Sequence, residues 1–469
     1  MEKLIGFLTA YLVLSFLPNQ SVAQKNQPNI IIIYIDDQRW DALGASGNEV
    51  IQTPNMDSLV ESGMYFPNSF VTLSICTPSR AALLTGKYGS SSDVMSQNLN
   101  TVNPDIKTVA QYFKKEGYNT SVFGKWHISN SPQSMGFEHE YYFKGLAPFW
   151  DVPFIKNGVE VKTIGFIEDV IGEGAIEYLR EISNSDKPFF MWFNTFSPHM
   201  DKDFSWPSKG RTLSKYPIES MPLPTNWPAD FTDKPPYIEH NRPHQRALEY
   251  GYSRAYPLQD HIRGYYAATT DMDAALGNLI SAISELGLFE NTFILLMGDN
   301  GWFMGEHGLT SKVLAYEESI RVPLIAIGPG INPGRSDELI LNIDLMPTVL
   351  DLANIEVPSN LDGKSFKNLL GFEKNKNSIW REFVFYEAPI PVHGTKPHYA
   401  IRTKEWKLIQ TFDENEPDKL IFEELYDIKN DPDEMHNLVM DSTKEPILES
   451  LRKTIENKIY WSNENRFNR

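Results

Sequence analysis

Cysteine is almost absent from this chain. Its 469 residues include one, Cys76, so no intrachain disulfide can form and no zinc site can be built on a set of thiolates. Positive charge is also scarce. Against 61 Asp and Glu stand 43 Lys and Arg, a formal net charge of −18. Such a surface repels polyanions at long range and argues against nucleic-acid binding; an anionic substrate would need a local cationic pocket. Apolar runs long enough to span a bilayer are missing too. The run at residues 4–17 follows Lys3, stops at Pro18 and falls short of the ~20 residues a span requires. With Ser21-Val22-Ala23 ahead of Gln24, it has the pattern of a secretory signal peptide over residues 1–23. Residue 24 is not cysteine, which argues against a lipid anchor. The expectation is a soluble, exported protein, periplasmic or secreted, with no membrane anchor.

What is present is ordinary globular composition, 41% hydrophobic and 22% charged. Residues 29–35 form an unbroken, largely β-branched run ending in Asp36-Asp37. A strand without polar alternation is buried on both faces, as in a parallel sheet flanked by helices. Similar runs recur at 119–123, 189–193, 292–297 and 322–327, and helix-like segments at 106–115, 167–182 and 262–286 precede the first three. This alternation predicts βαβ units in a doubly wound α/β sheet. From 200 to 260 the pattern gives way to a stretch rich in proline and aromatic residues, including Trp206, Trp227 and Pro235-Pro236-Tyr237. It is too long for an ordinary connection and is expected to be an insertion that shapes a site. After about residue 375, short strands at 383–386, 399–403, 406–411 and 425–427 and a helical tail at 445–460 predict a small α+β subdomain. The expected organisation is a signal peptide (1–23), a main domain (24–375) with a large doubly wound mixed sheet, and a C-terminal subdomain (376–469) with an antiparallel sheet and a helix.

Open α/β sheets bind ligands at the carboxyl ends of their parallel strands. Those ends here carry Asp36-Asp37, Gly124-Lys125-Trp126-His127, Ser197-Pro198-His199 and Gly298-Asp299-Asn300. Singly, each suits a turn cap or a structural histidine; four in one sheet point to a site. Asp36, Asp37, Asp299 and Asn300 offer only oxygen donors, a set suited to Ca²⁺ or Mg²⁺. A divalent cation would also relieve the repulsion among three carboxylates.

Cys76 stands in Ser74-Ile75-Cys76-Thr77-Pro78-Ser79-Arg80-Ala81-Ala82-Leu83-Leu84-Thr85-Gly86. Pro78 suits a first helical turn, the Ala/Leu run continues it and Gly86 ends it, so Cys76 is expected just before a helix N-terminus. Cys-Thr-Pro-Ser-Arg followed by Ala-Ala-Leu-Leu-Thr-Gly resembles the signature of the type I, formylglycine-dependent sulfatases. Further blocks are similar to that family in order and spacing. They are the Asp-Asp strand, Thr53-Pro54-Asn55-Met56-Asp57, the Lys125, His199 and Asp299 blocks above, Gly305-Glu306-His307-Gly308, Lys312, the run from Tyr316 to Pro323, and Leu425-Tyr426-Asp427 with Asn430-Asp431-Pro432. The resemblance spans residues 28 to about 440; the 200–260 insertion falls outside it.

The resemblance implies an alkaline-phosphatase-like fold and hydrolysis of a sulfuric ester. It implies oxidation of Cys76 to Cα-formylglycine by a maturation enzyme, and one metal ion, usually Ca²⁺, held by Asp36, Asp37, the residue at 76, Asp299 and Asn300. Arg80 and Lys125 would hold the aldehyde hydrate and the sulfate charge, and Lys312 would bind the sulfate. His127 would act as base, and His199, with Lys312, would protonate the leaving alcohol. The expected substrate is a sulfated glycan, from glycosaminoglycans or algal polysaccharides. Candidate selectivity residues are Trp302, His307, His240, Arg242, His244, Arg246, His393 and His398. Two other readings stay open: a phosphodiesterase or phosphonate hydrolase on the same scaffold, and a sulfated-glycan-binding protein whose Cys76 never matures.

Overall fold

A computed structural model describes residues 27–372 and 380–467. The expected signal peptide (1–23) and the expected boundary at 375 lie outside the described residues. Strand β1 (Asn29–Ile35) forms the centre of the main sheet. Ile30, Ile32 and Tyr34 enter the apolar core on one face, and Ile31, Ile33 and Ile35 enter that on the other. This two-sided burial is why the strand shows no polar alternation.

The sheet continues through β2 (Met64–Phe70), β3 (Asn119–Trp126), β4 (His139–Lys144), β5 (Phe154–Lys156), β6 (Val159–Val161), β7 (Phe189–Asn194) and β8 (Thr292–Gly298). A short hairpin, β9 (Phe303–Met304) with β10 (Thr310–Ser311), precedes β11 (Arg321–Ile327), β12 (Gly334–Arg335) and β13 (Ile340–Leu341). The spatial order is β12-β2-β11-β8-β1-β7-β3-β4-β5-β6, with β13 also on β2. Strands β8, β1, β7, β3 and β4 run parallel. By contrast β11, the fifth run expected from the sequence, is antiparallel to β8. The chain between them contains no long crossover helix, which a parallel return requires.

Helices cover both faces. On one lie α1 (Pro54–Ser62), α4 (Ile167–Ile182) and α6 (Ala255–Glu285); on the other lie α2 (Cys76–Thr85), α3 (Val109–Lys115) and α7 (Leu345–Leu352), while α5 (Arg242–Glu249) lies in the 200–260 stretch. Helix α3 starts later than expected because Thr108 and Gln111 form a reciprocal capping box. Asp273 of α6 accepts hydrogen bonds from the Asn55 and Met56 N–H groups, capping α1. The C-terminal sheet, β14 (Phe383–Ala388), β15 (His398–Thr403), β16 (Trp406–Phe412) and β17 (Leu420–Asp427), is antiparallel throughout. Helix α8 (Glu445–Phe467) follows it, with Leu448, Leu451 and Ile455 sharing a core with β14–β17 and with Phe303, Leu309 and Tyr316 of the main domain. No helix among the described residues is long and apolar enough to cross a membrane.

Candidate active site

The carboxyl ends of β1, β3, β7 and β8 converge on the first residue of α2. Helix α2 begins at Cys76 itself, one residue earlier than the sequence suggests, because Ser79 N–H already donates to Ile75 C=O at 3.0 Å. All ten of its residues are buried. Ser79 Oγ is fixed by Tyr34 OH at 2.7 Å and by Asn342 Nδ2 at 2.9 Å, and Gly86 closes the helix in the left-handed region.

Cys76 is fully buried, and its Sγ marks where an oxygen of the oxidised residue would stand. Lys312 Nζ lies 2.8 Å away, Asp36 Oδ1 3.2 Å, and Lys125 Nζ and Asp37 Oδ1 3.9 Å each. Lys125 pairs with Asp36 and Lys312 pairs with Asp37. Arg80, under the cluster, donates to Asp299 Oδ2 at 2.9 Å and Asn194 Oδ1 at 2.7 Å. Asn300 Nδ2 donates to Asp37 Oδ1 at 2.6 Å, and Asn300 Oδ1 accepts from Lys312 at 3.2 Å. Three carboxylates and three cations therefore share one buried volume.

Strand β3 runs on through Lys125 because of Gly124. That residue sits at φ +83°, and a Cβ there would fall 1.7 Å from Asn194 C=O.

The electrostatics follow from this packing. Burial alone would raise the Asp36 carboxyl, but Lys125, then His199, Arg80 and Lys312 hold it well below the usual range. Asp299 is pushed up to about 7, by burial first and Asp36 second. Burial and Asp36 push the Cys76 thiol up, so the unmodified residue is a poor nucleophile despite its helix N-terminus. His127 is driven down to about 2 by burial and by Lys125, leaving a neutral imidazole whose Nδ1 is buried without a hydrogen-bond partner. His199 Nδ1 faces Met200 C=O at 2.6 Å; a carbonyl only accepts, so Nδ1 carries the proton and Nε2 faces Asp37 Oδ2 at 3.5 Å.

Ligand atoms of Asp36, Asp37, Cys76 and His199 lie within 4.8 Å of one another, and Asp37 Oδ2 is buried with no hydrogen-bond partner. The two carboxylates suit a hard divalent cation, whereas Asp299 stands outside this group, its oxygens accepting from Asp37 N–H and Arg80.

Residues 28–355 match the profile of the sulfatase family, and residues 305–460 match the profile described as N-sulphoglucosamine sulphohydrolase, C-terminal. The chain belongs to the sulfatase family. It is 31% identical to an N-acetylglucosamine-6-O-sulfatase of Bacteroides thetaiotaomicron, over 92% of this chain and 86% of that protein. A solved structure in complex with its substrate D-glucosamine-2-N,6-O-disulfate is 28% identical, superimposes with a TM-score of 0.83 and covers 94% of this chain and 99% of its own. The phosphonate monoester hydrolase of Silicibacter pomeroyi shares the fold at 20% identity, with a TM-score of 0.75 over 94% of this chain and 96% of its own.

Around the centre of this sulfatase the candidate selectivity residues divide. Trp302 is 3% exposed, between His199 and Trp206, with Lys312 Nζ over its ring at 5.5 Å. Arg242 meets His393 Nδ1 at 3.4 Å; burial, then Arg242, Arg246 and Lys312, push that imidazole down to about 4. The other histidines are engaged or remote. Both ring nitrogens of His398 face carbonyls, of Lys396 and Val313, and His244 Nδ1 faces Gly308 C=O at 2.8 Å. His307 is buried against Tyr316, 4.5 Å between ring centroids, and His240 is exposed.

Two residues of this sulfatase site gave no warning in the sequence. Asn194 ends β7 and holds Arg80. Glu168, in the first turn of α4, accepts from Phe196 N–H at 2.9 Å and Ser197 N–H at 2.6 Å, pinning the loop that carries His199. An acid in a first helical turn reads from sequence as ordinary dipole compensation.

Proposed function

We propose that this sulfatase removes O-sulfate groups from a sulfated carbohydrate, a glycosaminoglycan or algal-polysaccharide fragment, after oxidation of Cys76 to Cα-formylglycine. The observation that carries this is the convergence of Lys125, Lys312, Asp36 and Asp37 on Cys76 Sγ, beside Arg242 and His393, in a chain of net charge −18. Two relatives are named for, or bound to, sulfated glucosamines, which supports an amino-sugar sulfate, while a relative named as ulvan-active keeps algal polysaccharides within the reading. Export through the 1–23 segment, as a catalytic domain (24–375) with its C-terminal subdomain (376–469), belongs to the same reading.

Asp36, Asp37, Asp299, Asn300 and the residue at 76 would hold one Ca²⁺, which supplies a compact positive charge for an anion and lowers the pKa of a hydroxyl beside it. Oxidation at 76 would supply an aldehyde that adds water to give a geminal diol, one hydroxyl to displace the alcohol from sulfur and a second whose deprotonation expels sulfate by C–O cleavage and restores the aldehyde. Arg80 and Lys125 hold the charge at residue 76, and Lys312 binds the sulfate; being fixed before the substrate arrives, they need no reorganisation during the reaction. His127 would be the base toward the diol: its Nδ1 is buried with no hydrogen-bond partner, although burial and Lys125 disfavour its protonated form. His199, steered by Met200 C=O on Nδ1, presents Nε2 to the site; in its imidazolium form, which burial disfavours, that atom would protonate the departing sugar oxygen together with Lys312.

The shared fold of the phosphonate monoester hydrolase keeps a phosphoryl-transfer reading in play. One experiment separates them: protein produced with a formylglycine-generating system is assayed on matched aryl sulfate, phosphate and phosphonate esters, and the peptide spanning Cys76 is examined by mass spectrometry. Sulfate turnover with an aldehyde at 76 is expected. Faster turnover of a phosphorus ester, or full activity with a free thiol, overturns the proposal.

A further inference from the structure

Phe204 breaks two ordinary rules. It is a bulky residue at φ +60°, in a region such side chains rarely adopt, and it remains 43% exposed. The loop holds it there. Asp201 Oδ1 accepts from Asp203 N–H at 2.9 Å and Ser205 N–H at 3.0 Å, while Phe204 N–H donates to Asp201 C=O at 3.2 Å. Backbone strain of this kind persists only where the surroundings over-determine it. Here the result is an aromatic ring held out toward solvent five residues after His199.

The ring has a cationic neighbour. The Arg246 guanidinium carbon sits 4.7 Å from the Phe204 centroid, and the Tyr250 ring lies 5.8 Å away. Arg242 and Arg246 are four residues apart on α5, a like-charge spacing that weakens a helix. Among the described residues neither has a carboxylate within ion-pair distance; their contacts are His393 and Phe204. In a chain of net charge −18, two arginines with no ion-paired carboxylate, Glu249 acting on Arg246 only from beyond ion-pair distance, leave a place for an anion. The group adjoins the reacting centre: Tyr250 OH touches Met200 Sδ at 3.9 Å, and Met200 C=O holds His199. Trp302 is too buried to offer a ring face, whereas Phe204 is not.

We propose that Phe204 and Arg246 form a subsite for the ring adjacent to the sulfated sugar, stacking its apolar face on Phe204 and pairing a carboxylate or second sulfate with Arg246. The inference rests on the glycan-sulfatase reading and extends it: the substrate is an anionic oligosaccharide, not an isolated sulfated sugar. An aromatic face supplies stacking that tolerates either anion, and the guanidinium fork matches both carboxylate and sulfate oxygens.

The test measures kcat/KM of the matured enzyme on four substrates: a sulfated monosaccharide, the same sugar linked to a uronate, the same sugar linked to a neutral sugar bearing sulfate, and 4-nitrophenyl sulfate. Wild type should prefer both anionic disaccharides to the monosaccharide. Phe204→Ala should cut the two disaccharides at least about 5-fold more than the monosaccharide, through KM. Phe204→Tyr should retain the preference, and a matching melting temperature would exclude a folding defect. Arg246→Ala should lower turnover of whichever disaccharide supplies the anion the subsite reads, so the uronate and sulfate arms identify it. Monosaccharide and aryl sulfate turnover with no disaccharide preference, or equal losses on all substrates, overturns the subsite and leaves the sulfatase reading standing. No turnover of any sulfate ester by aldehyde-bearing protein overturns both.

Discussion

Replacing Glu168 in two ways separates its hydrogen bonds from its charge. Its Oε1 accepts from two buried N–H groups, of Phe196 and Ser197. Glu168→Ala strands both donors, at about 1–3 kcal/mol each, so a loss of roughly 2–6 kcal/mol falls on the loop that aims His199. Glu168→Gln retains an oxygen where Oε1 stands and removes only the charge. Burial raises the Glu168 carboxyl from 4.5 to about 7, against the lowering effect of its backbone hydrogen bonds. Because the folded state holds this proton more tightly than the unfolded chain, the group's contribution to stability is fully present below about pH 4.5 and declines as pH rises through about 7. The total decline is on the order of 3 kcal/mol. Glu168→Gln has no such decline, so between pH 5 and pH 8 it should gain on wild type by roughly that amount. Urea unfolding at both pH values measures this directly. Equal stability of the Ala and Gln variants, or a wild-type-to-Gln difference that ignores pH, would refute the reasoning.

His199→Ala should slow hydrolysis of a glycan sulfate by about 100-fold or more while slowing 4-nitrophenyl sulfate much less, because acid assistance matters most for a poor leaving group; steady-state rates on the two esters are the check. Chelation should lower activity and calcium should restore it better than zinc. Since burial and Asp36 push the Asp299 carboxyl up, calorimetry should find calcium binding weakening as pH falls, where the proton competes with the ion. Asp299→Ala should weaken binding further. Gly124→Ala should force β3 from β7, because the added Cβ would fall 1.7 Å from Asn194 C=O; a lower melting temperature and lost turnover are expected, and a wild-type melting curve would contradict the geometry.

The central sheet was legible because its strands are buried on both faces and carry polar residues only at their ends. β1 and α4 match the expected bounds, and the acidic, amide, lysine and histidine groups at four strand ends meet as anticipated. β2 was hidden by its own chemistry. Pro67 and Asn68 interrupt Met64–Phe70, and they fall where its pairing with β11 skips, opposite Pro323. A β-bulge removes the need for the N–H groups that two prolines lack, but nothing local announces it. The direction of β11 depends on the connection before it, not on its composition. Glu168 and Phe204 escaped notice for the same reason: a carboxylate at a helix start and an aromatic in a loop become informative only once their neighbours are known.

The pairing pattern around β1 also sets a timetable. β1 is flanked by β7 and β8, whose residues follow it by about 160 and 263 positions. Until β8 has been made, β1 has an open edge, Asp299 and Asn300 are missing, and Arg80 has no carboxylate from that strand to meet. Cys76 therefore spends the synthesis of more than two hundred residues without the burial that later seals it. At about 5–20 residues per second, that is on the order of 10 to 40 seconds of exposure. Non-local pairing of this kind is slow to complete, and if Cys76 is oxidised as proposed, this delay is the interval in which the side chain can be reached before the finished fold buries it.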